Sequence, residues 1–318
     1  MKKPIKILAI IVSVLLGIIF LVFLYVNLSD MPKHEVKDLP IKVTYDSTSV
    51  FQGKKIVETV CWTCHQGDDG RLSGTMFSQP ESAFGEIWTA NITNHATQGI
   101  GRYSDGELAY MLRTGINRDG RFIGPFMLFP NMADQDLAAI IAYLRSDSPV
   151  TKGVDVKRPA PSYSFLAKAL FKLGAMKPLS APEDEIVAPP VSDAQNYGKY
   201  LATAVFACYE CHSKSFETNN VLHPEHSEGY FAGGNPVEDR DFNLVFSSNL
   251  TPSRTSGIGS WNRDDFDRAI RTGISPNQKL LNSIMPRFSL MSDVEVDAIW
   301  TYLQSLEPVD VPEMVASK

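Results

Sequence analysis

Cys61-Trp62-Thr63-Cys64-His65 and Cys208-Tyr209-Glu210-Cys211-His212 use all four cysteines of the 318-residue chain, in two pairs of identical spacing, each succeeded at once by a histidine. The sequence downstream of each motif repeats as well. Asn91-Ile92-Thr93 recurs as Asn249-Leu250-Thr251, Gly99-Ile100-Gly101 as Gly257-Ile258-Gly259, and Arg113-Thr114-Gly115-Ile116 as Arg271-Thr272-Gly273-Ile274, each at an offset of 158. Met132-Ala133-Asp134 to Tyr143-Leu144 recurs as Met291-Ser292-Asp293 to Tyr302-Leu303, at an offset of 159. The cysteine motifs lie 147 apart, so the second copy carries 11 extra residues, somewhere within Lys214 to Phe246. One domain is written twice.

Each copy reads as helical, and the expected class is all-α. Helical stretches open the copies near Ser49 to Val60 and from Asp193 to Ala207, with Ser192 able to cap the second. Ser104 with Glu107, and Ser292 with Glu295, are capping-box patterns. Leu137, Ile140, Ile141 and Leu144 are spaced as one helix face, matched by Val296, Ile299, Trp300 and Leu303. Gly53 and Gly198 precede the motifs and Tyr143 and Tyr302 lie in the last helices, a pairing that suits close contact between first and last helix. Between the copies, Asp147 to Val191 holds seven prolines and reads as a linker. Inside it Ser164 to Leu173 is amphipathic, with Phe165, Ala169 and Leu173 on one face and Lys168 and Lys172 opposite. Packing on a neighbouring domain is expected for it, with a membrane-surface role as the alternative.

Ile7 to Leu28 is an uncharged run of 22 residues, about 33 Å long as a helix and enough to cross a hydrocarbon core of roughly 30 Å. Lys2, Lys3 and Lys6 precede it and Asp30 is the first charge after it, so the positive-inside rule leaves the N-terminus in the cytoplasm and the rest outside. A cleaved signal peptide is the alternative; the run is long for one and lacks a small-x-small site. A net charge of −6 with no basic face sets nucleic acid aside.

A Cys-x-x-Cys-His segment places two thiols one helical turn apart for thioether bonds to the two vinyl groups of a haem, with the histidine as iron ligand. Two copies outside an export anchor, with no other cysteine, favour this over zinc or a redox dithiol. Two covalent haems are expected, on Cys61, Cys64 and His65 and on Cys208, Cys211 and His212. Met127 and Met285 each lie 14 residues after the matched Arg113 and Arg271, so they are the candidate second ligands. Methionine elsewhere is core filling, the reading given to Met132 and Met291. Should either methionine fail, His95 would replace it in the first copy and His223 or His226 in the second; these and His34 otherwise read as loop histidines. Arg113 and Arg271 suit a hydrogen bond to a haem propionate, or simply the charge that favours a helix C-terminus.

These residues resemble the class I cytochrome c family, and more closely the haem domains of the cytochrome c subunits of membrane-bound alcohol and gluconate dehydrogenases. Ala232-Gly233-Gly234, Asn249-Leu-Thr251-Pro252, Gly257-Ile-Gly259-x-Trp261, Arg271-Thr-Gly273, Met285-Pro286 and Met291-Ser-Asp293 carry the likeness beside the cysteine motifs. Two haem sites stand where those alcohol dehydrogenase subunits have three. The resemblance implies an all-α fold around each haem, His65 and His212 as proximal and Met127 and Met285 as distal ligands, and electron transfer. The organisation expected is a cytoplasmic tip and transmembrane anchor (1–29), linker (30–48), cytochrome c domain 1 (49–146), proline-rich linker (147–191), cytochrome c domain 2 (192–306) and tail (307–318). The expected protein is an electron carrier rather than an enzyme, on the periplasmic side of a bacterial inner membrane, with redox proteins as donor and acceptor, a membrane dehydrogenase or terminal oxidase among them. A subunit of a larger dehydrogenase complex and a dihaem peroxidase are the rival readings; the second needs an open iron site where each copy offers a methionine.

Overall fold

The computed structural model describes residues 2–239 and 241–312, so the last six positions of the tail expected at 307–318 lie outside it. In chain order the elements are α1 (Lys2–Leu28), α2 (Ser47–Ile56), α3 (Trp62–His65), β1 (Met76–Ser78), β2 (Gly85–Trp88), α4 (Asp105–Thr114), α5 (Asp134–Leu144), β3 (Ser162–Tyr163), α6 (Phe165–Lys172), α7 (Ala194–Tyr200), α8 (Cys208–His212), β4 (Pro236–Glu238), β5 (Leu244–Phe246), α9 (Arg263–Thr272) and α10 (Asp293–Gln304). Six of the described helices, α2, α4, α6, α7, α9 and α10, open where a short polar side chain satisfies a first-turn amide. Asp46 caps α2, and Asp193 rather than Ser192 caps α7. Both expected capping boxes form, and Asn262 with Asp265 adds a third.

The all-α expectation does not hold. Among the described residues helix covers about 40%, and they form two antiparallel sheets, ordered β1-β2-β3 and β4-β5. Each copy makes a hairpin between its cysteine motif and its Asn-x-Thr, where short runs such as Glu86-Ile-Trp and Leu244-Val-Phe are too brief for either period to be legible. β3 comes from the linker: Pro159 and Pro161 restrain the residues before them to extended backbone, and Ser162 and Tyr163 then pair with Glu86 and Gly85. The hairpins also place the extra residues of the second copy. Gly74 N–H donates to His65 O and Gly233 N–H to His212 O, nine positions on in the first copy and twenty-one in the second, so the insertion precedes Gly233.

The first and last helices of each copy cross at a glycine. A Cβ on Gly53 would stand 1.8 Å from Ala139 O, and one on Gly198 1.9 Å from Ala298 O, with Tyr143 Cβ and Tyr302 Cβ next nearest. Only a residue without a side chain lets the backbones approach so closely.

The two copies pack on each other about a pseudo-twofold axis. Lys55 stands two residues after Gly53, Tyr200 two after Gly198, and Asp136 and Glu295 are register mates in the last helices. Lys55 Nζ of the first copy pairs with Glu295 of the second, and Tyr200 OH of the second donates to Asp136 of the first. One contact has thus been made twice, as an isologous interface would make it. All four residues are buried. Ala133 N–H donates to Tyr200 OH at 3.0 Å and Gln52 Nε2 to Asp136 at 3.0 Å, which completes the polar satisfaction of the seam. Apolar residues of both copies, among them Ile56, Leu137, Leu201 and Ile299, belong to one continuous core.

The linker wraps the first copy rather than hanging free. Leu72 N–H donates to Val150 O, Asn94 N–H to Thr151 O, Leu179 N–H to Thr114 O and Asp134 N–H to Ile186 O.

Candidate functional site: the paired Cys-x-x-Cys-His motifs

Each motif lies on a single helical turn delivered by a π-helical segment, Val57–Cys61 before α3 and Leu201–Val205 before α8. The second copy has two more residues than the first between glycine and motif, and it absorbs them with a break at Phe206 and a left-handed Ala207, φ +47°.

His65 and His212 are buried. His65 Nδ1 lies 2.8 Å from Ala90 O and His212 Nδ1 2.7 Å from Ser248 O. A carbonyl only accepts, so Nδ1 carries the proton and the basic nitrogen of each ring is Nε2, the tautomer an iron-ligating imidazole requires. Burial pulls both imidazoles below their ordinary value, against the opposing pull of those carbonyls, and keeps them neutral. No disulfide joins the cysteines. Burial pushes the Cys61 and Cys208 thiols up to about 12, the reverse of the depressed value a redox dithiol needs. Cys211 is exposed yet densely surrounded: those surroundings first, then Glu210, Cys208 and Cys64, push it up to about 12. Cys64 of the first motif stands within electrostatic reach of Cys211 of the second. The donor set fits covalent haem at each motif: two thiols on one turn beside an imidazole with a free Nε2.

Met127 ends a 3-10 turn, Pro125–Met127, in the loop between α4 and α5, and Met285 lies in the loop between α9 and α10. Both are half-buried against the core, whereas Met132 and Met291 are wholly inside it. Left-handed glycines start these loops, Gly115 and Gly273, each at φ +76°. A Cβ on Gly115 would meet Phe122 and Leu128, and one on Gly273 the Arg287 guanidinium, which donates to Met285 O and Leu281 O. Arg113, 1% exposed, donates to Phe129 O, Pro130 O and Met132 O and pairs with Asp134. Arg271 donates to Met291 O and pairs with Asp267 and Asp293. In this structure both guanidiniums are engaged by protein groups, where they clamp the end of the methionine loop to the last helix.

The other histidines have work of their own. His95 Nδ1 accepts from Gln98 N–H at 3.1 Å and stabilises a turn, while the His223 and His226 rings pack against each other, 5.5 Å apart. Their inserted stretch covers the seam: Asn131 Nδ2 of the first copy donates to Val221 O at 2.9 Å. An open groove of about 470 Å³ runs beside it, lined by Asn131, Lys199, Tyr200, Leu222 and Glu225. The Asn-x-Thr repeat is a turn that holds the chain after each last helix. Asn91 Nδ2 donates to Val154 O and Asn249 Nδ2 to Val309 O, while Thr93 and Thr251 bond the asparagine Oδ1. Sequence reasoning overlooked Lys55, Glu295, Tyr200 and Asp136; their shared register was the available signal. It also passed over Glu210, whose carboxyl its surroundings push up to about 7.

Tandem copies, each with a glycine crossing of first and last helix around a Cys-x-x-Cys-His turn, define the class of c-type haem proteins. Residues 50–148 match the cytochrome c family. It is similar to the fructose dehydrogenase cytochrome subunit of Gluconobacter japonicus, 30% identical over 258 residues, 77% of this chain and 50% of that protein. It is similar to the cytochrome c subunit of the quinone alcohol dehydrogenase of Gluconacetobacter polyoxogenes, 28% identical over 277 residues, 83% of this chain and 57% of that one. A diheme cytochrome c-type protein of Cereibacter sphaeroides is 23% identical over 261 residues, 79% of this chain and 83% of that one. The chain spans little more than half the length of the two dehydrogenase subunits. The match to that family implies covalently bound haem, and α1 is an apolar helix long enough to cross a membrane, with none of its most apolar window buried.

Proposed function

We propose that this chain is a membrane-anchored dihaem cytochrome c that passes single electrons between redox proteins and transforms no substrate itself. The observation that carries the reading is the meeting of two cysteine motifs across one pseudo-twofold seam, with Cys64 in electrostatic reach of Cys211. Haem, when bound, supplies an iron centre that changes oxidation state by one electron. Cys61 and Cys64 hold one macrocycle and Cys208 and Cys211 the other. His65 and His212 offer Nε2 to the irons and keep ring orientation through their carbonyl partners, Ala90 and Ser248. Met127 and Met285 are the second ligands, a pairing that raises the reduction potential. Arg113 and Arg271 position the methionine loops; in this reading propionate contact is not their task. Residues 49–146 and 192–306 are the two cytochrome c domains. Lys2, Lys3 and Lys6 precede the apolar run within α1, and the positive-inside rule reads both domains as periplasmic. The names of the relatives point to a dehydrogenase as donor, with a further redox protein or terminal oxidase as acceptor.

The test is haem quantitation with oxidised and reduced absorption and electron paramagnetic resonance spectra, on the parent, Met127→Ala and Met285→Ala. Two low-spin haems per chain are expected, and each replacement abolishes one methionine-to-iron band. A high-spin haem in the parent that reacts with peroxide overturns the carrier reading in favour of a peroxidase.

A further inference from the structure

We infer that α6, the helix inside the proline-rich linker, lies in the surface of the bilayer and holds the first haem domain against the membrane. The inference rests on the reading of α1 as a span of that membrane.

Phe165 stacks on Phe23 of α1, with ring centroids 5.6 Å apart and planes 29° from parallel. Lys172 Nζ donates to Val26 O at 2.8 Å and to Ser29 O, and so serves two of the carbonyls that the end of α1 leaves unpaired. Phe23 is five residues before Leu28, the last residue of α1, which is about 8 Å along the axis. Phe165 therefore enters at the depth, roughly 5–10 Å, at which interfacial helices bury their apolar face.

The helix has two apolar sides. Ala167 and Phe171 are buried against the first copy, where Phe171 meets Phe122 and Tyr163 edge-on at 5.7 and 5.2 Å. On the other side Phe165, Leu166 and Leu173 are 48, 52 and 58% exposed. That uncovered face continues the lipid-facing surface of α1, and Lys168 stands beside it as a snorkelling cation does. The occupant is therefore lipid. Through Phe122, which packs on Gly115 at the start of the methionine loop, the same helix fixes the first haem site relative to the membrane.

The test uses the full haem-loaded chain in nanodiscs of phosphatidylethanolamine and phosphatidylglycerol. Spin labels are placed at Leu173→Cys, and separately at Leu166→Cys and at Leu15→Cys in the middle of α1, with the haems reduced. At positions 173 and 166 collision with oxygen is expected to exceed collision with a polar nickel chelate, as it does at 15. Labels at 173 and 166 open to nickel, or shielded from both reagents, with 15 in lipid, overturn the inference and leave the anchor standing. The shielded result would assign the face to a protein partner. Nickel access at 15 as well overturns the anchor itself.

Discussion

At Gly198 a hydrogen is all that fits. Substitution with alanine would press a methyl onto Ala298 O, and overpacking of this kind costs about 1–3 kcal/mol. Gly198→Ala is therefore expected to lower the thermal midpoint of the haem-loaded protein by several degrees, while Gly17→Ala, with nothing within 4 Å, leaves it unchanged. Arg113 makes a second case. A lysine in its place cannot span three carbonyls and a carboxylate from one planar fork, and each buried carbonyl left without a donor costs about 1–3 kcal/mol. Arg113→Lys should lower the denaturant midpoint more than Arg271→Lys, because the Arg271 side chain is 20% exposed and water can replace its bonds. Equal losses would show that the clamp does not depend on burial. Both arginines were legible as matched residues in the sequence. Their partners were not, since Met132 O and Met291 O are backbone groups that folding alone brings to them.

Among the elements, the helices that cross between copies decide how the halves meet. Removal of the Tyr200 hydroxyl leaves Ala133 N–H and one Asp136 oxygen without a partner, so Tyr200→Phe is expected to cost about 1–3 kcal/mol. Burial, then the Asp136 charge and hydrogen bond, hold the Tyr200 phenol well above its ordinary value. A phenol raised in the folded state stabilises fully below its unfolded value of about 10, and that contribution is lost as pH rises above it. The difference in urea midpoint between the parent and Tyr200→Phe should be constant from pH 7 to about pH 9.5 and narrow beyond. A difference that widens there would contradict the assignment. The helix pattern, its capping boxes and the glycine crossings were readable because they depend on spacing along one chain. The strands were not: β1, β2, β4 and β5 are three or four residues each, too short to show alternation, and β3 exists only because the linker returns to β2.

For the whole molecule, one core shared by both copies makes the halves a single cooperative unit. Breaking a buried pair such as Lys55 with Glu295 by removal of one partner costs about 3–5 kcal/mol, so neither copy loosens while the other stays intact. Denaturant unfolding of the haem-loaded chain, monitored by Soret absorption and by far-ultraviolet circular dichroism, should give one coincident transition. Two separated transitions would show that the seam is weaker than its burial indicates. The same seam brings Cys64 of one motif within electrostatic reach of Cys211 of the other.

The duplication, the Cys-x-x-Cys-His motifs, the long apolar helix and the candidate ligands could be read in the sequence alone, because those depend on residue type and on spacing within about one turn or one repeat. Only the tertiary structure decided that the copies face each other through Lys55–Glu295 and Tyr200–Asp136. It also decided that the linker adds a strand and that α6 reaches back to the end of α1. Such contacts join residues 64 to 240 positions apart, and their energy comes from burying both partners at once, which no local pattern encodes.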